Sequence, residues 1–280
     1  PVSCVVRIPF SKHSISVGMT IAFAMECFEN GILTTQDTGG IELTFGNGDA
    51  LLAMTEKIVK REGLGDILAL GAARAARKIG RGAERFALAV KKQEIPMHEP
   101  RGKQGLSLAY ATAPAGADHM RAPHDPVYEG FHPKGAHALE PLGLAEPLKR
   151  LELSPKKVRA FLYANHWWAM CSAVGVCHLA AAPIDAVGIT LVTNAMRAVT
   201  GWDTSLWELI KVGERAKALA RAFNCREGFT PKDDRLPQRL HEAFTDGPLQ
   251  GVRIDPETFE RALRLYHQME GWDPETGWPT

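Results

Sequence analysis

The chain has 280 residues, 45% of them apolar and 23% charged, and carries a formal net charge of +1. That is an ordinary globular composition, long enough for two modest helical domains or one large one. The near-neutral charge gives no reason to expect nucleic acid or an anionic membrane as partner, and no apolar run approaches the ~20 residues that span a bilayer. Five cysteines without a regular framework argue for a reducing compartment, the cytoplasm, rather than a disulfide scaffold. Residues 1–20 lack a basic start followed by an apolar core, so no signal peptide is expected. The chain opens Pro-Val-Ser-Cys without a Met, and the expectation is a processed, trimmed or fragmentary chain.

Residues 1–13 read as an edge strand or a frayed end. From Ser14 onward, Val17, Ile21, Ala24, Met25 and Phe28 fall at helical spacing, and Gly31 is placed to stop the helix. Cys27 on that helix reads as a small core residue. Residues 34–40, TTQDTGG, carry turn chemistry. A second helix is predicted over 47–62, with Asn47 or Asp49 as N-cap and Leu51, Leu52, Met54, Ile58 and Val59 as its buried side. The alanine-rich stretch 66–79 predicts a third, with Arg74, Arg77 and Lys78 near its negative end. Residues 86–90 read as a short strand or connector. A boundary near residue 88 divides a first helical domain, 1–88, from a second, 89–280.

Residues 94–125, EIPMHEPRGKQGLSLAYATAPAGADHMRAPHD, hold three His, two Arg, several carboxylates, and Gly and Pro at short intervals. They show neither clean helical nor clean strand periodicity. A loop of this kind in a helical chain is where binding groups are expected. Within it, residues 106–113 are apolar and small, as a buried approach to something bulky would be. Residues 126–151 are rich in Pro, Gly and His and predict a lid or insertion, with His132 and His137 as loop histidines. Ser154 and Pro155 open a helix that runs through Trp167 and Trp168, which are core, interface or pocket-wall residues. A helix is expected over 183–200. Ser205 and Glu208 form a capping box for another that ends near Asn224. Asp255 and Pro256 open the last, with Phe259, Leu263 and Tyr266 inward.

Several stretches carry a family resemblance. They are Glu94-Ile95-Pro96, Glu99-Pro100-Arg101-Gly102, Leu108-Ala109-Tyr110-Ala111-Thr112 and Gly116-Ala117-Asp118-His119. Further along stand Gly175-Val176-Cys177, Asn224-Cys225-Arg226-Glu227-Gly228-Phe229, the run 233–239 and the ending 271–277. In this order they resemble the aldehyde:ferredoxin oxidoreductase family, from about Ser14 to Thr280. The resemblance implies a mainly α chain of two helical domains like the second and third domains of those enzymes. It implies a tungsten (or molybdenum) bis-pyranopterin and a 4Fe-4S cluster. It further implies oxidation of small-molecule aldehydes to carboxylic acids, ferredoxin as partner, and a possible homo-oligomer.

Carried over residue by residue, the resemblance makes His119 the catalytic histidine. Arg101, Gly102, Asp118, Ser172 and Gly175 lie at the cofactor, and Cys177 is the fourth cluster ligand. A neutral imidazole suits His119 to accept or relay a proton, with Asp118 placed to orient it. Three departures stand out. Residues 8–13 lack the family's Asp-x-x-Gly-Leu-Asp run, Ser172 replaces an Asp, and Ala115 replaces an Arg. A cubane needs four thiolates. Cys4, Cys27, Cys171, Cys177 and Cys225 include no C-x-x-C pair, so the cluster must be completed by cysteines of a missing N-terminal half or partner subunit. Two alternatives stand beside this: the tungsten subunit of a benzoyl-CoA-type reductase, and a non-catalytic helical fragment that only binds a partner.

Overall fold

The computed structural model describes residues 11–130, 136–184 and 187–280. Among these the chain is mainly α, with one two-stranded sheet. It divides into two compact units. The first holds the described residues up to His98 together with 115–117 and 237–239, and the second holds 99–114, 118–236 and 240–280. The expectations for residues 1–10, Cys4 among them, and for His132 lie outside the described residues.

The first unit contains α1 (Ser11–Glu29), α2 (Thr35–Thr38), α3 (Gly48–Lys60), α4 (Leu64–Leu68) and α5 (Ala72–Ile79). A short hairpin of β1 (Ala89–Val90) and β2 (Gln93–Glu94) follows. Its core joins Ile21, Ala24 and Cys27 of α1 to Met54 and Ile58 of α3, Leu68 of α4 and Ala75 and Ala76 of α5. The predicted buried side of α3 was too wide. Ala50, Met54 and Ile58 are buried at four-residue spacing, whereas Leu52 and Val59 stand 68% and 76% exposed. The turn at 34–40 contains a capped helical turn, α2, in which Thr34 and Asp37 satisfy each other's backbone N–H. Arg81 closes on Asp37 at 3.1 Å.

The third predicted helix is two helices. The chain breaks at Gly71, whose φ of 86° suits glycine, and the Glu94 carboxylate accepts the Ala72 N–H at the start of α5. A Cβ at Gly71 would collide with that carboxylate. Alanine-rich propensity favours one helix, but it is outweighed by an acceptor from β2. The hairpin pairs Ala89 with Glu94 and Val90 with Gln93, leaving Lys91 and Lys92 as a two-residue turn. Both lysines have positive φ, 49° and 69°, as the tight hairpin turn requires. The boundary expected near residue 88 falls just ahead of this hairpin, and β2 packs on α1 and α5 within the first unit.

The second unit contains α6 (Gly105–Thr112), α7 (Asp125–Tyr128), α8 (Pro155–Val174), α9 (Ile189–Thr200), α10 (Leu206–Arg226) and α11 (Pro256–Met269). Ser154, Ser205 and Asp255 cap α8, α10 and α11 as expected. The irregular stretch expected at 94–125 contains α6, all eight residues of which are buried. A helix buried on every side has no polar face, so its period is invisible in the sequence. Its first N–H groups are held from a distance: Asp125 accepts from Gly105 at 3.0 Å and from Leu106 at 3.1 Å. Lys157 of α8 closes on the same carboxylate at 2.6 Å, and both side chains are essentially inaccessible.

The described residues of the lid expected at 126–151 are anchored in the core. Tyr128, Leu139, Leu144 and Leu148 are buried in one cluster with Trp167 and Trp168 of α8. His137 is exposed and paired with Glu140 at 2.6 Å. The helix expected from residue 183 begins at Ile189, because Ala181 bridges to Val187 first. Helix α10 packs along α8, with closest approach at Gly213, where a Cβ would collide with the His166 carbonyl.

Candidate functional site

Between α6 and α7 the chain is tied at both ends. Asp118, 4% exposed, accepts the Met120 N–H at 3.0 Å and faces the Arg121 guanidinium at 3.1 Å. At the other end Asp125 holds α6 and Lys157. His119 is half-buried, its ring centroid 5.9 Å from that of His124 in an edge-on arrangement. His124 Nε2 lies 2.9 Å from the His119 carbonyl oxygen, which can only accept, so this nitrogen carries the proton. His124 Nδ1 is then the acceptor that faces the Lys103 ammonium at 3.3 Å. Burial lowers the Lys103 pKa, and Asp125 opposes that shift.

Arg101 is buried and fully engaged. Its guanidinium grips both Glu99 carboxylate oxygens at 3.0 Å, donates to the Glu242 carbonyl at 3.0 Å, and lies 3.6 Å over the Phe244 ring. Gly102 ends that turn, with room for a Cβ limited by Leu249 at 3.0 Å. These two residues brace the loop from within.

A cavity of about 300 Å³ opens in the second unit. One face of α8 lines it with Asn165, Trp168, Ala169, Ser172 and Ala173; one face of α10 adds Ala216, Lys217 and Ala220. The end of α6, Met120, Arg121 and His178 complete it. Space exists because the facing helix positions are alanines, one turn beyond the tight approach at Gly213. Of the site residues expected from sequence, Ser172 lines this cavity; His119, Arg101, Gly102, Asp118, Gly175 and Cys177 do not. Asp118 reaches it indirectly, through Arg121.

Behind the cavity lies a buried network that sequence reasoning missed. Lys217 donates to Tyr266 Oη and to Glu270, and His166 Nε2 meets the other Glu270 oxygen at 3.0 Å. Burial lowers the Lys217 pKa, with Glu270 opposing it. Burial pushes the Glu270 carboxyl up, but Lys217 and His166 outweigh it and leave the group well below the carboxylate range. Burial raises the Tyr266 phenol. The available signal was a polar residue set among alanines on a helix face: Asn165 four before Ala169, and Lys217 between Ala216 and Ala220.

Two lining residues have hydrogen-bonding capacity to spare. Asn165 is 5% exposed; its Nδ2 donates to the Arg121 carbonyl at 2.6 Å, and its Oδ1 has no partner. Lys217 has three N–H donors and directs two of them to Tyr266 and Glu270. The Ser172 hydroxyl is occupied by His178 Nε2 at 2.9 Å, a nitrogen that also meets the Trp168 carbonyl at 2.9 Å. The His178 ring stacks on the Trp168 indole, centroids 4.5 Å apart and 15° from parallel. Burial holds the His178 pKa below its ordinary value.

Gly175 ends α8 in the left-handed region, φ 80°, and Cys177 follows as an exposed free thiol. Cys27 and Cys171 are buried, and burial pushes both thiols up to about 12. Cys225 is half-buried, its sulfur 3.8 Å from the Thr276 carbonyl. Among the described residues no group of three or more His, Cys, Asp or Glu side chains is placed to hold a metal ion. Cys177 therefore fits one ligand of a four-thiolate cluster and no more.

Residues 13–280 match the family described as aldehyde ferredoxin oxidoreductase, domains 2 & 3. The chain is 35% identical over 272 residues to the tungsten-containing aldehyde ferredoxin oxidoreductase of Pyrococcus horikoshii, covering 94% of this chain and 41% of that protein. It is 28% identical over 272 residues to the aliphatic sulfonate oxidoreductase, WOR-like subunit, of Pyrococcus furiosus, covering 92% and 38%. Among solved structures, the active site complex BamBC of benzoyl coenzyme A reductase with 1,5 dienoyl-CoA superposes with a TM-score of 0.67 at 26% identity. That superposition covers 95% of this chain and 42% of the other. The chain spans about two-fifths of the length of these relatives. With its helical units, its capped α8 and its motifs in family order, the chain belongs to the aldehyde ferredoxin oxidoreductase family and corresponds to domains 2 and 3.

Proposed function

We propose that this chain is the C-terminal part of a cytoplasmic tungsten or molybdenum pyranopterin enzyme that oxidises aldehydes to carboxylic acids. It works with an N-terminal half or partner subunit and passes electrons through a 4Fe-4S cluster to ferredoxin. The observation that carries this is the placement of Cys177. It is an exposed thiol just past the Gly175 cap, at the end of the helix whose Ser172 and Ala173 line the cavity.

The metal–pterin group, when bound, supplies the two-electron oxidation. This chain's residues do the rest. Cys177 contributes one thiolate, and three more come from outside the chain. Trp168, Met120 and the alanines give the cavity a largely apolar lining. Oxidising an aldehyde with water releases protons, and the half-buried His119 imidazole accepts one, its backbone fixed through His124. Arg101 and Asp118 hold the flanking turns.

The test is anaerobic co-production with the N-terminal half, followed by assays of iron, sulfide, tungsten, molybdenum and aldehyde-dependent reduction of a viologen dye. The chain alone is expected to hold no stoichiometric iron and to reduce no dye. In the assembled enzyme, His119→Ala is expected to lower turnover ~10²–10⁴-fold at unchanged metal content and melting temperature. Unchanged turnover would remove His119 from the chemistry. The likeness to BamBC favours a second function, reduction of an aromatic thioester. An assembled enzyme that reduces an aryl-CoA and ignores aldehydes would select it.

A further inference from the structure

We infer that His124, its tautomer set by Lys103, is a positioning residue that holds His119 for proton transfer. The inference rests on the role proposed above for His119 and concerns what fixes that side chain in place. A peptide unit is a rigid plane, so fixing the plane that follows a residue fixes its ψ. The plane between His119 and Met120 is held at both polar ends. His124 Nε2–H donates to the His119 carbonyl at 2.9 Å, and Asp118 accepts the Met120 N–H at 3.0 Å. Asp118 is steadied in turn by the Arg121 guanidinium at 3.1 Å. The His124 ring also stands edge-on to the His119 ring, with centroids 5.9 Å apart. One imidazole thus restrains both the backbone and the ring of its neighbour.

His124 can do this in one tautomer. A carbonyl oxygen only accepts, so Nε2 must carry a proton. An ammonium only donates, so Nδ1, 3.3 Å from Lys103 Nζ, must keep its lone pair. The neutral Nε2–H form satisfies both neighbours, and the Nδ1–H tautomer satisfies neither. Adding a proton at Nδ1 would set an N–H against the ammonium. Charged and titratable groups surround His124 from several elements. Lys103 stands ahead of α6, His119 lies on the same loop, and Asp125 follows in α7, its carboxylate taken up by Lys157 of α8. Asp125 also favours the charged form of Lys103. Lys103 therefore keeps charge off the imidazole that touches His119. Placement of this kind matters to rate, since a misplacement of about 1 Å can cost ~10²-fold.

The test has two arms, one of which needs neither cofactor nor turnover. Nitrogen NMR of the histidine-labelled full chain is expected to show His124 protonated at Nε2 and bare at Nδ1 at neutral pH. Lys103→Met removes the neighbouring cation, which favours the imidazolium, so the His124 titration midpoint is expected to rise by at least about half a pH unit. In the assembled enzyme, His124→Leu is expected to lower kcat by about tenfold to ~10²-fold at unchanged metal content, with KM within about threefold. His124→Gln keeps an N–H at the place of Nε2 and is expected to recover most of that loss. The NMR arm leaves His124 in place, so it stands even if His124→Leu fails to fold. An Nδ1–H tautomer, an unmoved midpoint in Lys103→Met, or full turnover in His124→Leu would overturn the inference. Should His119→Ala lose turnover while His124→Leu keeps it, this inference fails and the proposed function stands. Should His119→Ala keep full turnover, the role of His119 and this inference fall together.

Discussion

Replacing Asp125 with Asn should be among the most damaging single changes in the second unit. The carboxylate is fully buried and accepts three hydrogen bonds, from the Gly105 and Leu106 N–H groups and from Lys157. An amide in its place keeps one acceptor oxygen but turns an N–H toward α6 or toward the ammonium. Lys157 would then be a charge with no counter-ion, left with the Lys149 carbonyl at 2.8 Å. Breaking a buried pair from one side costs about 3–5 kcal/mol. At ~2–4 °C per kcal/mol for a chain of this size, the melting temperature should fall by about 6–20 °C. All six tryptophans lie in the second unit, so their fluorescence reports its unfolding alone. The double variant D125N/K157M removes both charges and should recover much of the loss. Gly105→Ala should also destabilise, because its Cβ would lie 2.8 Å from Asp125 Oδ1. A single Asp125→Asn variant within about 1 kcal/mol of the unaltered chain would refute the reasoning, since that would leave the ammonium tolerated without its partner.

Gly213→Ala should cost about 1–3 kcal/mol or more by forcing α8 and α10 apart, and an unchanged tryptophan melt would contradict the close approach. The Asp37 carboxyl is lowered from 3.8 to about 2, first by the Arg81 hydrogen bond and then by Thr34. A carboxyl depressed in the folded state adds stability above its unfolded range of about 3.9, and that stability is lost as pH falls toward 2. An NMR titration should place its midpoint near 2, and a midpoint near 4 would break the assignment. A thiol reagent under native conditions should modify Cys177 first and Cys225 more slowly. Cys27 and Cys171 should react only after unfolding, since burial pushes both to about 12; mass mapping that finds Cys171 labelled as fast as Cys177 would contradict their placement.

Features built from neighbours three or four residues apart were legible in the sequence. The caps at Asn47, Ser154, Ser205 and Asp255 are of this kind, and so is the apolar stripe of α1. Features set by distant residues were not. The break at Gly71 depends on Glu94, and α6 is hidden because burial on every side removes the polar face that marks a helix. The segment 126–151 looked like a lid from its Pro and Gly, yet Leu139, Leu144 and Leu148 anchor it in the core. At the site, Ser172 was visible through its motif. Asn165 and Lys217 gain meaning only when α8 and α10 are seen to face one space. Burial, which no spacing reveals, separates the inert Cys171 from the exposed Cys177.

The Glu94 carboxylate at the head of α5 couples two elements that look separate along the chain. An eight-residue helix is too short to persist in water by itself, and α5 has no side-chain cap of its own. The acceptor at its first turn arrives only when the β1–β2 hairpin is in place, and the hairpin in turn rests on α1 and α5. Opening either one exposes the other. In hydrogen-exchange terms, the amides of α5 and of Ala89, Val90, Gln93 and Glu94 should share one opening free energy and one dependence on denaturant, as a single cooperative unit. Glu94→Gln should lower that shared value for all of them together, while amides in the middle of α3 keep theirs.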